Sequence, residues 1–231
     1  MSDTKGGPGV SGYVEFQDNP YRGHQLLIGT VLEHTDAGDR IFEGGVSTGY
    51  LSAAFVAADR IVDGAEVDPD TAAAARGVCD RIFVGDLEQL DLGQLAPSYQ
   101  ALVFGDTLEH LRDPPALLRR LRAVLDDDGV LVVSIPNVAN WAVRLGLLFG
   151  RFAYTERGIL DRTHLRFYTR RSAIEMLASA GFRATKVVAA VPVPWVSSVG
   201  LSRVAHRIGN LRPSLFAYTF IITAEKIITA E

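Results

Sequence analysis

Short apolar runs alternate with helical patterns along most of this chain. Five runs cover residues 40–44, 60–67, 81–84, 100–105 and 130–135, and two more lie within 184–191 and 215–224. Parallel strands need crossover connections, usually helices, so this alternation is typical of βαβ units. The pattern predicts an α/β protein with a doubly wound, mostly parallel sheet of seven strands and helices on both faces.

The helix between the fourth and fifth predicted strands has the clearest boundaries. Asp113 is placed to cap it, two prolines occupy its first turn, and leucines then recur at three- and four-residue spacing. The sequence DDDG at 126–129 is expected to end this helix. The side chains expected to lie on the sheet are those of Leu117, Leu118, Leu121 and Leu125.

The chain is expected to form one domain. Residues 1–36 are predicted to be a polar tail followed by a leading helix, and 37–231 form the domain itself. Within the domain, 136–170 is rich in aromatic residues, arginine and glycine and has no strand period. This composition is typical of an inserted cap.

Composition limits the partners and the compartment. The formal net charge is −4, which argues against a general electrostatic grip on nucleic acid, so no such partner is expected. Cys79 is the only cysteine, so no disulfide can form within the chain, and the cytoplasm is the expected location. No apolar run approaches the ~18 residues that span a bilayer, so no transmembrane segment is expected.

A glycine-rich turn follows the first predicted strand, in IFEGGVSTGYLSAAF. Glycine permits positive φ and close approach of the backbone to a ligand, and the next helix offers unpaired N–H groups. The turn resembles the first motif of the class I S-adenosylmethionine-dependent methyltransferases, which have a Rossmann-like fold. This resemblance implies cofactor contacts at Glu43, Gly44, Gly45, Ser47 and Gly49, with Ser47 where glycine is usual.

Later strand ends fit the same cofactor. Glu66 ends the second strand, where a carboxylate can accept hydrogen bonds from both ribose hydroxyls. A nicotinamide-dependent dehydrogenase would share these features. The resemblance to methyltransferases goes further, because it implies adenine contacts from Asp86 and Leu87 after the third strand. It also implies cofactor contacts at Val67 and Gly105.

Three short motifs resemble one subgroup of these enzymes: LEHL at 108–111, SIPN at 134–137 and THLRF at 163–167. The subgroup is similar to O-methyltransferases of ubiquinone, sugar and secondary-metabolite pathways. All the motifs together extend over about 40–182. The resemblance implies methyl transfer to a small-molecule or sugar-type hydroxyl in a biosynthetic pathway.

Acidic and imidazole side chains follow the fourth predicted strand. Asp106, Glu109 and His110 would share one face of a helical turn, and His164 lies in the predicted cap. Two carboxylates and two imidazoles can hold a divalent metal ion, and the set looks like that of metal-dependent RNA terminal-ribose methyltransferases. Without a metal, His164 or His110 would be the general base. These four residues are the predicted catalytic set and the metal candidates.

Other functions stay open at this point. The alternatives are N-methylation of a small metabolite, ribose methylation of RNA, and a non-catalytic cofactor-binding subunit. The aromatic residues and arginines of the predicted cap suit a small-molecule acceptor that carries a carboxylate or a phosphate. Residues 193–212 combine apolar and basic side chains, which would cover the acceptor site, pair subunits into a homodimer, or contact a lipid surface.

Overall fold

The computed structural model describes residues 20–191 and 199–227. Seven strands and eight α-helices lie in these ranges. The strands are β1 Arg40–Gly44, β2 Ile61–Glu66, β3 Arg81–Val84, β4 Tyr99–Gly105, β5 Leu125–Pro136, β6 Phe182–Ala190 and β7 Thr219–Lys226. The helices are α1 Gly23–Leu32, α2 Tyr50–Val56, α3 Pro69–Ala75, α4 Pro114–Leu121, α5 Trp141–Leu148, α6 Arg170–Ser179, α7 Val199–Leu211 and α8 Pro213–Phe216.

The strands form one mixed sheet in the order β3-β2-β1-β4-β5-β7-β6. Strands β1 to β5 are parallel, whereas β7 is antiparallel to both of its neighbours. The predicted Rossmann-like, mostly parallel sheet is confirmed. The chain winds outward from β1 in one direction and from β4 in the other, so their carboxyl ends flank the switch point where open α/β sheets bind ligands.

Buried apolar side chains fill both faces of the sheet. On one face, Leu117, Leu118 and Leu121 of α4 pack with α6 residues in a single buried cluster, as the leucine spacing predicts. On the other face, Leu27 and Val31 of α1 pack with residues of α2. Both helical layers therefore anchor the strand ends that carry the site.

The helix between β4 and β5 ends earlier than its sequence pattern predicts. Helix α4 ends at Leu121, and the DDDG sequence belongs to β5. Leu125 pairs with Tyr99 of β4, and the carboxylate of Asp126 accepts a hydrogen bond from Gln100 Nε2 at 2.5 Å. These contacts with β4 stabilise the extended conformation of residues 125–129 over the helix that the leucine spacing predicts.

Residues 137–169 join β5 to α6 at the carboxyl edge of the sheet. Besides α5 they contain two isolated β-bridges, Asn137 to Tyr168 and Thr155 to Asp161. The side chain of Asn137 donates to the carbonyl of Ala217 at 2.9 Å, which ties this segment to the start of β7. The domain and cap boundaries stay a prediction.

The leading helix is seen in part. Helix α1 begins at Gly23, and the predicted tail with the first residues of the predicted helix lies outside the described residues. Within the described ranges, every helix is too short or too polar to cross a membrane.

Candidate active site

The loop after β1 turns through three residues with left-handed backbone. Gly45, Ser47 and Gly49 have φ angles of 77°, 52° and 84°. A Cβ at Gly45 would lie 2.6 Å from the side-chain oxygen of Thr107, so space as well as backbone angle requires glycine there. Ser47 adopts a conformation that glycine reaches without strain, which explains why the related motif carries glycine at this position.

Glu66 connects this loop to the end of β2. Its Oε2 accepts a hydrogen bond from the backbone N–H of Ser47 at 2.8 Å. Its Oε1 accepts from the N–H groups of Val67 and Asp68 at 2.9 and 3.1 Å. Three backbone donors therefore orient the carboxylate beside the glycine-rich loop. The predicted bond from Glu66 to the cofactor ribose stays a prediction.

A 3₁₀ turn, Leu87–Gln89, follows β3. Asp86 caps this turn by accepting a hydrogen bond from the N–H of Glu88 at 2.9 Å. The carboxylate of Glu88 accepts in turn from the N–H groups of Arg112 and Asp113 at 3.1 and 2.6 Å. These bonds hold the end of β3 against the loop that precedes α4.

A cavity of about 600 Å³ lies between these strand ends. This volume is within the usual range for small-molecule and cofactor sites. The predicted cofactor residues that line it are Gly45, Ser47, Glu66, Val67, Asp86, Leu87 and Gly105. Two predicted catalytic residues, Asp106 and His110, line it as well. Glu43, Gly44 and Gly49 lie outside its lining.

Glu43 is buried away from the cavity, with 1% of its surface exposed. Ser52 Oγ donates a hydrogen bond to Glu43 Oε2 at 2.5 Å, and Cys79 Sγ donates to Ser52 Oγ at 3.3 Å. Burial raises the pKa of Glu43 to about 8, against the opposing effect of the hydrogen bond from Ser52. The carboxyl group is therefore largely neutral at pH 7 and links the end of β1 to α2.

Packing explains the other two glycines. A Cβ at Gly44 would lie 2.4 Å from the ring of Phe104, and one at Gly49 would lie 3.2 Å from the Cα of Ala75. Gly49 also precedes the first residue of α2. Both glycines therefore allow the loop to pack closely against neighbouring residues on the side away from the cavity.

Three predicted catalytic side chains meet beside the cavity: Glu109, His110 and His164, named here the Glu-His-His cluster. Their ligand atoms lie within 4.8 Å of one another. Nε2 of His164 is 3.9 Å from Oε1 of Glu109, and the two imidazole rings meet edge to face with centroids 4.8 Å apart. Because His110 lines the cavity, the cluster reaches the ligand site through this imidazole.

Backbone contacts bring the cluster together from distant parts of the chain. The 3₁₀ turn Leu108–His110 carries its first two members. The carbonyl of Glu109 accepts hydrogen bonds from the N–H groups of Leu165 and Arg166 at 2.9 and 3.0 Å. The THLRF sequence thus folds back onto the LEHL sequence and places His164 beside Glu109.

Glu109 is buried, and neither of its carboxyl oxygens has a hydrogen-bond partner among the described residues. Burial raises the pKa of Glu109 well above its ordinary value, and the charge of Asp106 raises it further. Leaving a buried polar group unpaired costs about 1–3 kcal/mol. A cation held between this carboxyl group and the imidazoles would remove that penalty.

The imidazoles are oriented by backbone carbonyls. Nδ1 of His164 is 3.2 Å from the carbonyl oxygen of Ile159, and Nδ1 of His110 is 3.2 Å from that of Thr163. A carbonyl oxygen only accepts, so the neutral tautomer that fits each contact has its proton on Nδ1 and its lone pair on Nε2. Burial, then the charge of His110, lowers the pKa of His164 and favours its neutral form.

Asp106, the fourth predicted catalytic residue, lies apart from the other three. Its carboxylate accepts a hydrogen bond from Ser134 Oγ at 2.8 Å and lies 3.4 Å from Nε2 of His24. The metal-ligand group found among the described residues does not include it. Asp106 faces the cavity beside α1.

Several further residues of the site were not predicted from the sequence. Thr107 and Arg112 line the cavity. The side chain of His24 contacts Asp106, which also lines the cavity. His24 comes from α1, far away in sequence, and no local motif marks it. Thr107 does carry a signal, because it lies two residues after the predicted end of the fourth strand.

A cavity at the switch point of an open α/β sheet, with a glycine-rich turn and a carboxylate at adjacent strand ends, defines a cofactor-binding α/β enzyme. A family model described as a methyltransferase domain matches residues 21–187. The match covers more than half of the chain, which therefore belongs to this family. The protein is an S-adenosylmethionine-dependent methyltransferase, and that prediction is confirmed.

Solved structures share this fold. Magnesium protoporphyrin IX methyltransferase from Synechocystis PCC 6803, with bound SAH, has a TM-score of 0.62 and 17% identity, over 93% of this chain and 89% of that chain.

Two further solved structures are similar to this chain. The 1,6-didemethyltoxoflavin-N1-methyltransferase from Burkholderia thailandensis has a TM-score of 0.60 and 16% identity, over 91% of this chain and 80% of that chain. A TehB-like SAM-dependent methyltransferase from Corynebacterium glutamicum has a TM-score of 0.56 and 15% identity, over 89% and 88%. No curated protein sequence matches this chain significantly. At these identities the structural neighbours show the fold alone.

Proposed function

We propose that this enzyme transfers the methyl group of S-adenosylmethionine to a hydroxyl oxygen of a small molecule, such as a sugar-type intermediate of a biosynthetic pathway. The Glu-His-His cluster at the wall of the cavity is the observation that carries this proposal. A hydroxyl becomes a good nucleophile when a base removes its proton, and a Lewis acid bound to the oxygen makes that proton easier to remove. A neutral amine needs no such help, so the cluster favours oxygen over nitrogen.

The donor set of the cluster fits a divalent metal ion. Glu109 would contribute a carboxylate oxygen, and His110 and His164 would each contribute Nε2. A bound ion would supply Lewis acidity toward the acceptor hydroxyl. His110 is also the imidazole of the cluster that would accept a proton in the cavity, because His110 lines it.

Aromatic side chains support a small acceptor. The rings of Phe152, Tyr154 and Phe167 pack with centroids 5.6 to 6.1 Å apart. Phe167 also contacts the ring of His164, at 6.0 Å between centroids. This aromatic group therefore continues from the cluster and would offer apolar faces to a sugar or an aromatic acceptor. The net charge of −4 disfavours RNA as the acceptor.

Metal binding gives a test that does not require the acceptor. Equilibrium dialysis against Zn²⁺ or Mn²⁺ should show binding to the wild type and its loss in Glu109→Gln and His164→Ala. Glu156→Gln is the matched control, because Glu156 lies in the same segment and is exposed. Equal metal binding by all four proteins would contradict the assignment of the cluster.

Turnover tests the choice of acceptor atom. Methyl-labelled S-adenosylmethionine is incubated with phenol, catechol, sugar and amine acceptors, and mass spectrometry identifies the products. We expect O-methylated products, and His164→Ala should lower kcat about 100-fold while cofactor affinity is retained. Products methylated at nitrogen alone, or full activity of His164→Ala, would overturn the proposal. Cofactor binding without turnover of any acceptor would favour a non-catalytic subunit.

A further inference from the structure

Helix α5 shows apolar side chains to solvent. Val143 is its one buried residue. Trp141, Leu148 and the following Phe149 are 52%, 78% and 70% exposed. Single apolar residues on a surface are ordinary, but a contiguous group of large ones marks an interaction surface.

Helix α7 has its apolar stripe on the outside. Its buried residues are Ser202 and Gly209, and a Cβ at Gly209 would lie 2.2 Å from the side chain of Val191. Apolar residues spaced three and four apart share one face of a helix, which normally packs on the core. Here that stripe is exposed, and it consists of Leu201, Val204, Ile208 and Leu211.

Both helices lie at the edge of the sheet that carries the cavity. Helix α5 follows the carboxyl end of β5, and α7 follows the carboxyl end of β6. Asn140, which caps α5, donates a hydrogen bond to the carbonyl of Ala217, just before β7. The exposed apolar residues of the two helices and Phe149, with the arginines of 137–155 and 199–218, are named here the apolar-arginine surface. Those arginines are Arg144, Arg151, Arg203, Arg207 and Arg212.

The charge of this surface is opposite to that of the whole chain. Residues 137–155 and 199–218 contain five arginines and no aspartate or glutamate, whereas the chain has a formal net charge of −4. All five arginines are exposed. Large apolar side chains interspersed with arginine match an interface between acyl chains and anionic headgroups.

We propose that the apolar-arginine surface docks on an anionic phospholipid bilayer and brings the cavity edge of the sheet to the membrane face. Trp141 suits this environment, since tryptophan favours the headgroup region. A second copy of the chain fits less well, because a symmetric contact would set arginines against arginines without a carboxylate in either segment. Docking requires no particular acceptor, so it stands apart from the proposed O-methylation.

Vesicle co-sedimentation of the full chain tests this proposal. The wild type should sediment with phosphatidylglycerol-containing vesicles but not with pure phosphatidylcholine, and salt should weaken the binding. Replacing Arg207 and Arg212 with glutamine should weaken partitioning about 30-fold. Leu201→Ser, Val204→Ser and Ile208→Ser combined should remove it. Circular dichroism and cofactor binding check that each variant folds.

Arg76→Gln is the matched control, because Arg76 is exposed and follows α3. It should sediment as the wild type does. Failure of the wild type to bind either kind of vesicle, or equal weakening by the control, would overturn the proposal. Analytical ultracentrifugation provides a second outcome: a dimer that the triple serine variant dissociates would assign the surface to a second copy instead.

Discussion

Replacing Glu43 with glutamine tests whether this carboxyl group holds the cofactor loop or contacts the cofactor. Glutamine keeps the size of the side chain and an acceptor oxygen for Ser52 Oγ, but it cannot ionise. Burial raises the pKa of Glu43 from 4.5 to about 8. Because folding raises this pKa, the stabilising contribution is complete below pH 4.5 and is lost as pH rises to about 8.

The rise in the pKa of Glu43 from 4.5 to about 8 corresponds to about 5 kcal/mol in the free energy of unfolding. The glutamine variant has no such loss. Between about pH 5 and pH 8, its stability relative to wild type should therefore rise by about 4 kcal/mol. The change would be large for a domain of this size, because total stability is usually about 5–15 kcal/mol.

Urea unfolding followed by circular dichroism across this pH range measures the effect. Calorimetric titration with S-adenosylmethionine completes the test, and affinity should change little because Glu43 lies outside the cavity lining. A stability difference that stays constant with pH would refute the burial argument. A large loss of affinity without a change in stability would place Glu43 in contact with the cofactor.

Two further substitutions probe the two carboxylates of β2. Glu66→Ala should weaken S-adenosylmethionine binding about 10- to 100-fold in calorimetry by removing charge-assisted hydrogen bonds, and unchanged affinity would limit Glu66 to holding the loop. Asp63→Asn should cost about 3 kcal/mol in urea unfolding at pH 7, because buried Asp63 pairs with Arg40 and Arg81 and accepts a hydrogen bond from Tyr99. Burial alone would raise the pKa of Asp63, but these partners outweigh it and lower the pKa. The stabilisation is thus present above the unfolded pKa and lost as pH falls through the folded one, so the difference between Asp63→Asn and wild type should shrink in acid.

Local chemistry made the strands and the cofactor loop predictable. Strands β1 and β3 begin and end at the predicted residues, since each is a short apolar run bounded by turn residues. The positive φ angles at Gly45 and Gly49 also follow from sequence, because glycine is the residue that adopts them freely. Glu66 reaches the loop because strand order and spacing place the end of β2 beside that of β1.

Tertiary contacts decided what the sequence pattern missed. The position of Glu43 below the loop depends on its contact with Ser52, and the pairing of Asp106 with His24 joins elements far apart in sequence. The early end of α4 likewise depends on pairing between Leu125 and Tyr99. The exposure of the apolar stripe of α7 could not be predicted from periodicity. An amphipathic pattern shows which residues share a face of the helix, but not whether that face packs on the core or meets solvent.

Three buried carboxyl groups differ in their donors, and the difference separates stability from function. Asp63 has two arginines and a tyrosine hydroxyl, and its pKa is lowered. Glu43 accepts from one hydroxyl, and its pKa is raised to about 8. Glu109 has no donor among the described residues, although two imidazoles lie beside it. Stability alone does not explain Glu109, because an apolar side chain of similar volume would avoid the cost of burying an unpaired polar group. The proposed role in holding a cation or activating an acceptor would explain it, because that role requires a position beside the cavity.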